Sequence, residues 1–541
     1  VVTVLGRAAA AGALSPAEEV RLLRSLVVRP PSEGVLLLAQ HYAVERPELF
    51  AAVALEAAEA AAAGAVLGSD AARSTTPLAL LGEAGAPVDA IIIGGGLAGM
   101  AAAMTMLDRG AKVVLVDKQP YLGGNSGKAS SGINAALETS VESLVADTTK
   151  SAGVLARSDL IRTLANDSAT AVSWLKDRTG VDLSMRSQLG GHTVKRTLRP
   201  SNAFVGAELT FAAGQILNKA AKERPDKFRL LTKAKWTGLE RAHAGWRAAV
   251  LLNDSRLMLE APSVVIASGG FGHDAKEVES LLLKHRPDLD GFPTTLGAQT
   301  TGDGVKIARD IGARLVDLDR VQLHPTGFVD PSKPFEQTKT LAAELLRGVG
   351  GLLLDGSGRR FADELGTRQA VVNAELRTAA DGLAVTAGMP PRAFTLVLNG
   401  KAAAMADRHV TLYSKKGLLT RLHGLGALAA HLGLPADRLN RTFASYNDAA
   451  VEGLDEFNRT VFPDGHWPIE GDEDFYAGQI TPVIHYTMGG IAIDQDGRVL
   501  DDASGSPISG LYAVGEASGG VHGDNRLAGN SLLECTVFGR R

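Results

Sequence analysis

Val88-Asp89-Ala90-Ile91-Ile92-Ile93-Gly94-Gly95-Gly96-Leu97-Ala98-Gly99 is the stretch on which the fold turns. The run Val88–Ile93 predicts a strand buried on both faces. Gly94, Gly96 and Gly99 then fit G-x-G-x-x-G, and Leu97–Arg109 predicts the helix that the motif should open. A second buried strand over Lys112–Val116 completes a βαβ unit. In that context each glycine has a task. Gly94 permits the tight turn, Gly96 lets the main chain approach a pyrophosphate, and Gly99 lets helix and strand pack closely. The amides of the helix N-terminus face the phosphates. Asp117 stands at the end of the second strand, 117 − 94 = 23 residues after the first glycine. A carboxylate there accepts hydrogen bonds from the adenosine ribose. A tight strand–helix turn without a ligand is the plain alternative. The two flanking strands and the acid favour a bound dinucleotide.

Further along, Val264–Ala267 runs into Ser268-Gly269-Gly270, and Leu511–Val514 precedes Gly515-Glu516. Both predict buried strands. Apolar strands separated by helices imply an α/β fold with a parallel sheet covered on both faces. Their wide spacing makes this Rossmann-like domain discontinuous, with an α+β capping (clamp) domain inserted. The expected division is a helical leader, or the tail of a preceding domain, over 1–85. A first nucleotide-binding part follows over 86–318, then the clamp over 319–485 and the return of the nucleotide-binding domain over 486–541. The leader is Ala- and Leu-rich, with a capped helix start at Ser15-Pro16-Ala17-Glu18. Val1 is not methionine and Gly539-Arg540-Arg541 carries no stop signal. The chain is therefore expected to be a piece of a longer polypeptide, its last helix cut short and its hold on the cofactor weakened.

Composition narrows the class. The 541 residues are too many for one ordinary core, and a formal charge of -4 leaves no basic excess for a polyanion, so nucleic acid is not an expected partner. One cysteine, Cys535, rules out a disulfide framework, a cysteine-ligated iron–sulfur cluster and a Cys-x-x-Cys-His haem attachment. A reducing compartment fits, so the expected location is intracellular, the cytoplasm or an organelle such as the mitochondrion. The sequons at Asn166, Asn253, Asn440 and Asn458 are read as accidental for the same reason. No apolar run reaches the roughly 18 residues of a membrane span, so a soluble protein is expected. No metal centre is read.

The choice between FAD and a nicotinamide cofactor rests on elements that only an extended flavin needs. These are the small-residue loop Gly123–Asn134 and the late strand–glycine–acid element Ala513-Val514-Gly515-Glu516-Ala517. Over residues 86–541 these segments resemble the fumarate reductase/succinate dehydrogenase flavoproteins, in particular the soluble eukaryotic type. The resemblance implies FAD held by Gly94, Gly96, Ala98, Gly99, Asp117, Lys118, Asn125, Ser126, Ser131, Gly132, Gly269, Asp303, Tyr486, Glu516, Ser531 and Leu532. Membrane-bound relatives join a histidine of the 123–132 loop to the flavin. This chain has none there, which implies non-covalent FAD.

Five further segments contain His324, Glu344 and Arg347, Arg368, His485, and Arg526 with Gly529. Any one arginine or histidine alone is more often a solvated or structural residue. In this order, beside an FAD fold, they are similar to the active-site set of fumarate reductases. That likeness implies that Arg526 and His485 hold one substrate carboxylate, with Gly529 nearby, and that His324 holds the other. It implies Arg368 as proton donor, with Glu344 and Arg347 as the relay that reloads it. Arginine suits both tasks because its planar fork pairs with a carboxylate at two points. Glu344 and Arg347 are three apart, a spacing that also suits an ordinary helix ion pair. Position 343 departs from many bacterial members, which place threonine there. Ala343 gives the second carboxylate one partner fewer. A reductase of another unsaturated acid such as urocanate, and an L-aspartate oxidase, therefore stay open beside fumarate reduction. A flavin-binding segment without catalysis is a further alternative, which the cationic residues disfavour. With no second dinucleotide loop, electrons are expected from a flavin reductase or NADH-oxidising domain outside this segment.

Overall fold

A computed structural model describes residues 88–541 except 202, 276–278, 386–387 and 464. The expected leader over 1–85 lies outside the described residues. The strand that opens the decisive stretch runs Ala90–Ile93 and is buried along its whole length. It pairs in parallel with Val113–Val116 on one side and Ser263–Ile266 on the other. These belong to a six-stranded sheet in the order Arg498–Leu500, Pro507–Ala513, Ser263–Ile266, Ala90–Ile93, Val113–Val116, Phe228–Leu231. Every pairing is parallel except that of the edge strand Arg498–Leu500. The expected strands are all present, with ends shifted by a few residues. The antiparallel edge is an addition to the expected parallel sheet.

Register brings four chain-distant strand ends into one line. Ile93 lies opposite both Val116 and Ile266, and Ile266 lies opposite Ala513. The residues just beyond are Gly94, Asp117, Ala267 and Val514. The carboxyl edge of a parallel sheet is where open α/β folds bind ligands. The helix Leu97–Asp108 covers the sheet and is buried nearly all round by small residues, and the last helix, Asn530–Arg540, packs against it at Ala101 and Ala102. An antiparallel meander, Ala234–Ala242, Gly245–Leu252 and Ser255–Ala261, precedes the strand Ser263–Ile266.

Between Ile266 and Pro507 the chain builds a second, antiparallel sheet. Its order is Val321–Phe328, Asp474–Thr487, Phe394–Asn399, Leu352–Leu354, with Thr420–His423 also on Asp474–Thr487. Both faces are covered, and the period-2 alternation of a strand sorts the side chains between them. Phe394, Leu396 and Leu398 join Phe328 and Tyr413 in one apolar cluster. Val397 joins Phe443, Tyr446 and Phe475 in another. A third cluster fills the parallel-sheet region. The architecture is thus a discontinuous Rossmann-like domain with an inserted α+β unit.

Candidate active site

The glycine turn closes as the motif requires. A side chain at Gly99 would place its Cβ 1.9 Å from the Gly94 carbonyl oxygen, so helix and strand meet main chain to main chain. Asp117 is half-buried and binds the turn itself: Gly95 N donates to its Oδ2 at 2.6 Å and Gln119 N to its Oδ1 at 2.7 Å. Its carboxylate therefore shapes the glycine loop as well as facing the crevice. Lys118 pairs with Asp303 at 2.9 Å and donates to Thr301 Oγ1 at the same distance. The Asn125 amide donates to Thr300 Oγ1 at 2.8 Å and accepts from Gly297 N at 2.9 Å. These pairs fasten the loop 297–303 beside the small-residue loop. Ser126 Oγ accepts from Leu97 N at 3.2 Å, at the opening of the helix.

The residues fit an extended dinucleotide. First-turn amides of the helix Leu97–Asp108 have no acceptor within the helix. A Cβ at Gly269 would meet nothing within 4 Å, and at Gly96 only Ser126 Oγ at 3.6 Å, so main chain is open on this side. Ser130 Oγ, in the small-residue loop, is buried with no hydrogen-bond partner. Ser131 and Ser531 are half-buried, while Ala98 and Leu532 are buried. Gly132 lies against Thr197 and Leu198. Glu516 accepts from Thr487 N at 3.0 Å. Burial lifts its carboxyl to about 7, against the pull of the Thr487 amide and of Arg526.

The second group of predicted residues converges next to this crevice. Gln322 pairs with Tyr486 and Leu323 with Ile484, so the register skips His485. His485 is the extra residue of a β-bulge, and a bulge re-aims side chains. Its ring centroid comes within 4.9 Å of His324. Thr295 Oγ1 fixes His485 Nδ1 at 2.7 Å. His324 Nδ1 accepts from Thr326 N at 3.2 Å, and its Nε2 has no hydrogen-bond partner.

Arg368 is the first residue of the helix Arg368–Ala380, capped by Thr367. Its Nε donates to Glu344 Oε2 at 2.7 Å and its Nη1 to Gln322 Oε1 at 2.8 Å. Glu344 and Arg347 lie on the helix Glu344–Gly348, with Arg347 Nη2 at 3.7 Å from Glu344 Oε2. His324 Nε2 stands at 3.7 Å from the same oxygen. Gly190 N donates to Glu344 Oε1 at 2.9 Å. Arg526 is buried, its guanidinium 4.4 Å from the centre of the Tyr486 ring and its Nε without a partner. Gly529, with φ +81°, caps the last helix; a Cβ there would sit 2.4 Å from Asn134 Oδ1.

Positive charge in this pocket belongs to the arginines, not to the histidines. Burial, with Arg368 and Arg347 beside it, holds the His324 imidazole down at about 3. Burial, His324, Arg368 and Arg526 keep His485 well below its ordinary value. Both rings are neutral hydrogen-bonding groups near pH 7. Burial on its own would raise the Glu344 carboxyl, but Arg368 and Arg347 hold it well below the carboxylate range. Burial and Arg368 bring Arg526 down to about 10.

Four residues gain a place that the motifs did not give them. Gln322 bridges the pocket: its Oε1 accepts from Arg368, and its Nε2 donates to Asn525 Oδ1 at 2.9 Å and to the Arg526 carbonyl at 3.0 Å. Glu534 accepts from Tyr486 Oη at 2.6 Å and lies 2.9 Å from His522 Nε2, fixing the ring under Arg526. The Tyr413 hydroxyl accepts from Ala343 N at 3.3 Å. Gly190 supports Glu344. Gln322 lies within a quoted segment, but a glutamine in a strand carries no pattern of its own.

A strand-end dinucleotide crevice continuous, through His485-Tyr486-Thr487, with a buried cationic pocket defines an FAD-dependent oxidoreductase. Residues 89–532 match the family described as FAD binding domain. A fumarate reductase of Schizosaccharomyces pombe is 41% identical over 467 residues, covering 83% of this chain and 88% of that protein. Fumarate reductase 1 of Saccharomyces cerevisiae is 37% identical, covering 83% and 96%. The open conformation of a flavocytochrome c3 fumarate reductase superposes with a TM-score of 0.63 at 31% identity, covering 84% and 77%. The chain belongs to this FAD-binding family, among the fumarate reductase flavoproteins, and FAD is its cofactor. Among the described residues no helix is long and apolar enough to cross a membrane.

Proposed function

We propose that this chain reduces fumarate to succinate. The observation that carries the reading is the pair of buried arginines, Arg368 and Arg526, flanked by the neutral rings of His324 and His485, with Gln322 binding the Arg368 guanidinium and the Arg526 main-chain carbonyl. A dicarboxylate needs fixed donors at each end and cationic charge beside it. Here Arg526 and His485 receive one carboxylate and His324 the other, with Gly529 letting the main chain turn beside them. Bound FAD, in its reduced form, supplies a hydride from N5. Arg526 and Arg368 stabilise the negative charge that grows on the substrate carboxylate in the transition state, more than they stabilise the ground state. Arg368 delivers the proton to the neighbouring carbon. An arginine normally keeps its proton. Here Glu344 Oε2, 2.7 Å from Arg368 Nε, gives the proton a short path back. Glu344 and Arg347 reload it.

The clamp over 319–485, between nucleotide-binding parts at 86–318 and 486–541, closes over the substrate and excludes water. The electron donor to the cofactor would be a flavin reductase or an NADH-oxidising domain beyond these 541 residues. The test is succinate formation from fumarate by the anaerobic protein with a reduced viologen donor, beside urocanate and L-aspartate. Turnover of urocanate, or oxidation of L-aspartate, at a higher kcat/KM than fumarate reduction would overturn the substrate assignment.

A further inference from the structure

Glu375 has no part in the site described above, yet it is the buried acid least provided for. Its side chain is 0% exposed, and neither carboxyl oxygen has a hydrogen-bond partner. An uncompensated carboxylate in such a place is costly, whereas a neutral acid is far cheaper. Its position on the helix matters. Glu375 lies seven residues after Arg368 on the helix Arg368–Ala380, so both project from one face, about 10 Å apart along the axis. Arg347 is the group they share. It is 1% exposed, its charge acts on Arg368 and on Glu375, and its Nε and Nη2 lack hydrogen-bond partners. Its Nη1 donates to the Glu364 carbonyl at 2.5 Å, and its Nη2 stands 3.7 Å from Glu344 Oε2, an ion pair without a hydrogen bond. The N–H groups of Nε and Nη2 are therefore left without an acceptor in a region that holds an unpartnered acid.

We propose that Glu375 is the outer proton donor of the relay that reloads Arg368. This rests on the proton-delivery reading given under Proposed function. The relay as first drawn, Arg347 to Glu344 to Arg368, ends on a buried arginine. Glu375 extends it by one further buried acid that can hold a proton. Arg347 passes an N–H proton to the Glu344 carboxylate, and the O–H proton of Glu375 passes to Arg347. The Glu375 carboxylate is left beside a restored guanidinium until bulk water returns its proton. No hydrogen bond joins Glu375 to Arg347 directly, and the proposed step includes one bridging water molecule between them. Burial raises the Glu375 carboxyl well above its ordinary value, and Arg347 is the one charged group that draws it back. Glu375 thus holds a proton near pH 7, as a donor must.

The test compares Glu375→Gln, Glu375→Asp and Glu344→Gln with the parent protein, all carrying FAD, in fumarate reduction by reduced viologen. In Glu375→Gln, kcat is expected to fall about tenfold or more, in the range of a lost proton-transfer group. KM for fumarate is expected to hold, and the solvent deuterium isotope effect to rise. Glu375→Asp recovers part of the rate. The infrared band of a buried, protonated carboxyl is expected in the parent and missing in Glu375→Gln. Parent kcat and isotope effect in Glu375→Gln, with Glu344→Gln inactive, would overturn the role of Glu375 alone. Parent rates in both would overturn the relay as a whole. If Glu375→Gln does not fold, Glu375→Asp carries the test: a kcat equal to the parent's overturns the proposal, and a reduced kcat with unchanged KM supports it.

Discussion

Arg368 and Arg526, drawn from segments 158 residues apart (526 − 368), meet at a single amide: Gln322 accepts from Arg368 Nη1 at 2.8 Å and donates to the Arg526 carbonyl at 3.0 Å. Two buried like charges repel, and burial with Arg368 nearby brings Arg526 down to about 10. The glutamine holds both in place without adding charge. A dianionic substrate is the natural partner of such a pair. Gln322→Leu leaves the Arg368 N–H and the Arg526 carbonyl each short of a partner. Truncations of this kind cost about 1–3 kcal/mol. The expected result in steady-state kinetics is a fall in kcat/KM of about tenfold to a hundredfold with FAD absorbance retained. A parent value would show that Gln322 does not set the arginine geometry.

Tyr486 and Glu534 lead to a second prediction. The Tyr486 hydroxyl donates to Glu534 Oε2 at 2.6 Å, and the ring lies under the Arg526 guanidinium. Tyr486→Phe keeps the ring and removes the hydroxyl. The ring contact, worth about 2 kcal/mol where desolvated, should survive. KM for fumarate is then expected to change by less than about threefold. Tyr486→Ala is expected to raise KM about tenfold or more, since Arg526 loses the surface it rests on. Initial-rate kinetics on the two variants distinguishes ring from hydroxyl.

Cofactor binding should fail at one small residue. A Cβ at Gly99 would press to 1.9 Å of the Gly94 carbonyl oxygen; that oxygen is main chain, and a Cβ is fixed by the backbone, so neither can rotate away. Gly99→Ala is expected to lose most bound FAD and lower the melting temperature by several degrees, as an overpacking cost of about 1–3 kcal/mol implies. Absorbance of the purified variant and a thermal melt measure both. Parent FAD content would mean the helix and strand can part without disturbing the crevice.

Stability should fall in mild acid. Burial holds His192, His409 and His466 down at about 4 and His324 at about 3. Each is neutral when folded and binds a proton near pH 6.5 once unfolded. The unfolded state therefore takes up protons first as pH drops. The stability these groups contribute is whole above about 6.5 and is lost toward 4, at about 1.4 kcal/mol per pH unit for each histidine fully titrating only when unfolded. Glu516, raised to about 7, and Glu375, raised well above its ordinary value, act in the opposite sense, while His485, held well below its own, adds to the histidines: two carboxyls against five imidazoles. The melting temperature is expected to drop steadily from pH 7 to pH 5. A flat or rising profile would mean the histidines are not buried as described.

What the sequence could reveal follows the physics of each element. The strands of the parallel sheet were legible because burial on both faces makes each one an unbroken apolar run, and the glycine spacing marked the turn between them. The edge strand Arg498–Leu500 alternates exposed and buried residues over too short a length to carry a pattern. The convergence of His324 and His485 depends on a bulge that skips one residue of the register, which no periodicity records. The likeness to a known family pointed to Arg368, Glu344, Arg347 and Arg526, and the structure gathers them in one pocket. Gln322, Glu534 and Glu375 were missed because their significance lies in what surrounds them: a polar residue in a strand or helix looks the same whether it faces water or a buried guanidinium.

The most direct test is to reduce the flavin anaerobically, mix the protein with fumarate, and follow flavin reoxidation together with succinate formed, in the parent and in Arg368→Ala. The account predicts rapid reoxidation with one succinate per flavin in the parent. It predicts a loss of about a hundredfold to ten-thousandfold in Arg368→Ala with FAD still bound. Reoxidation of Arg368→Ala at the parent rate, or a parent flavin that stays reduced in the presence of fumarate, would contradict it.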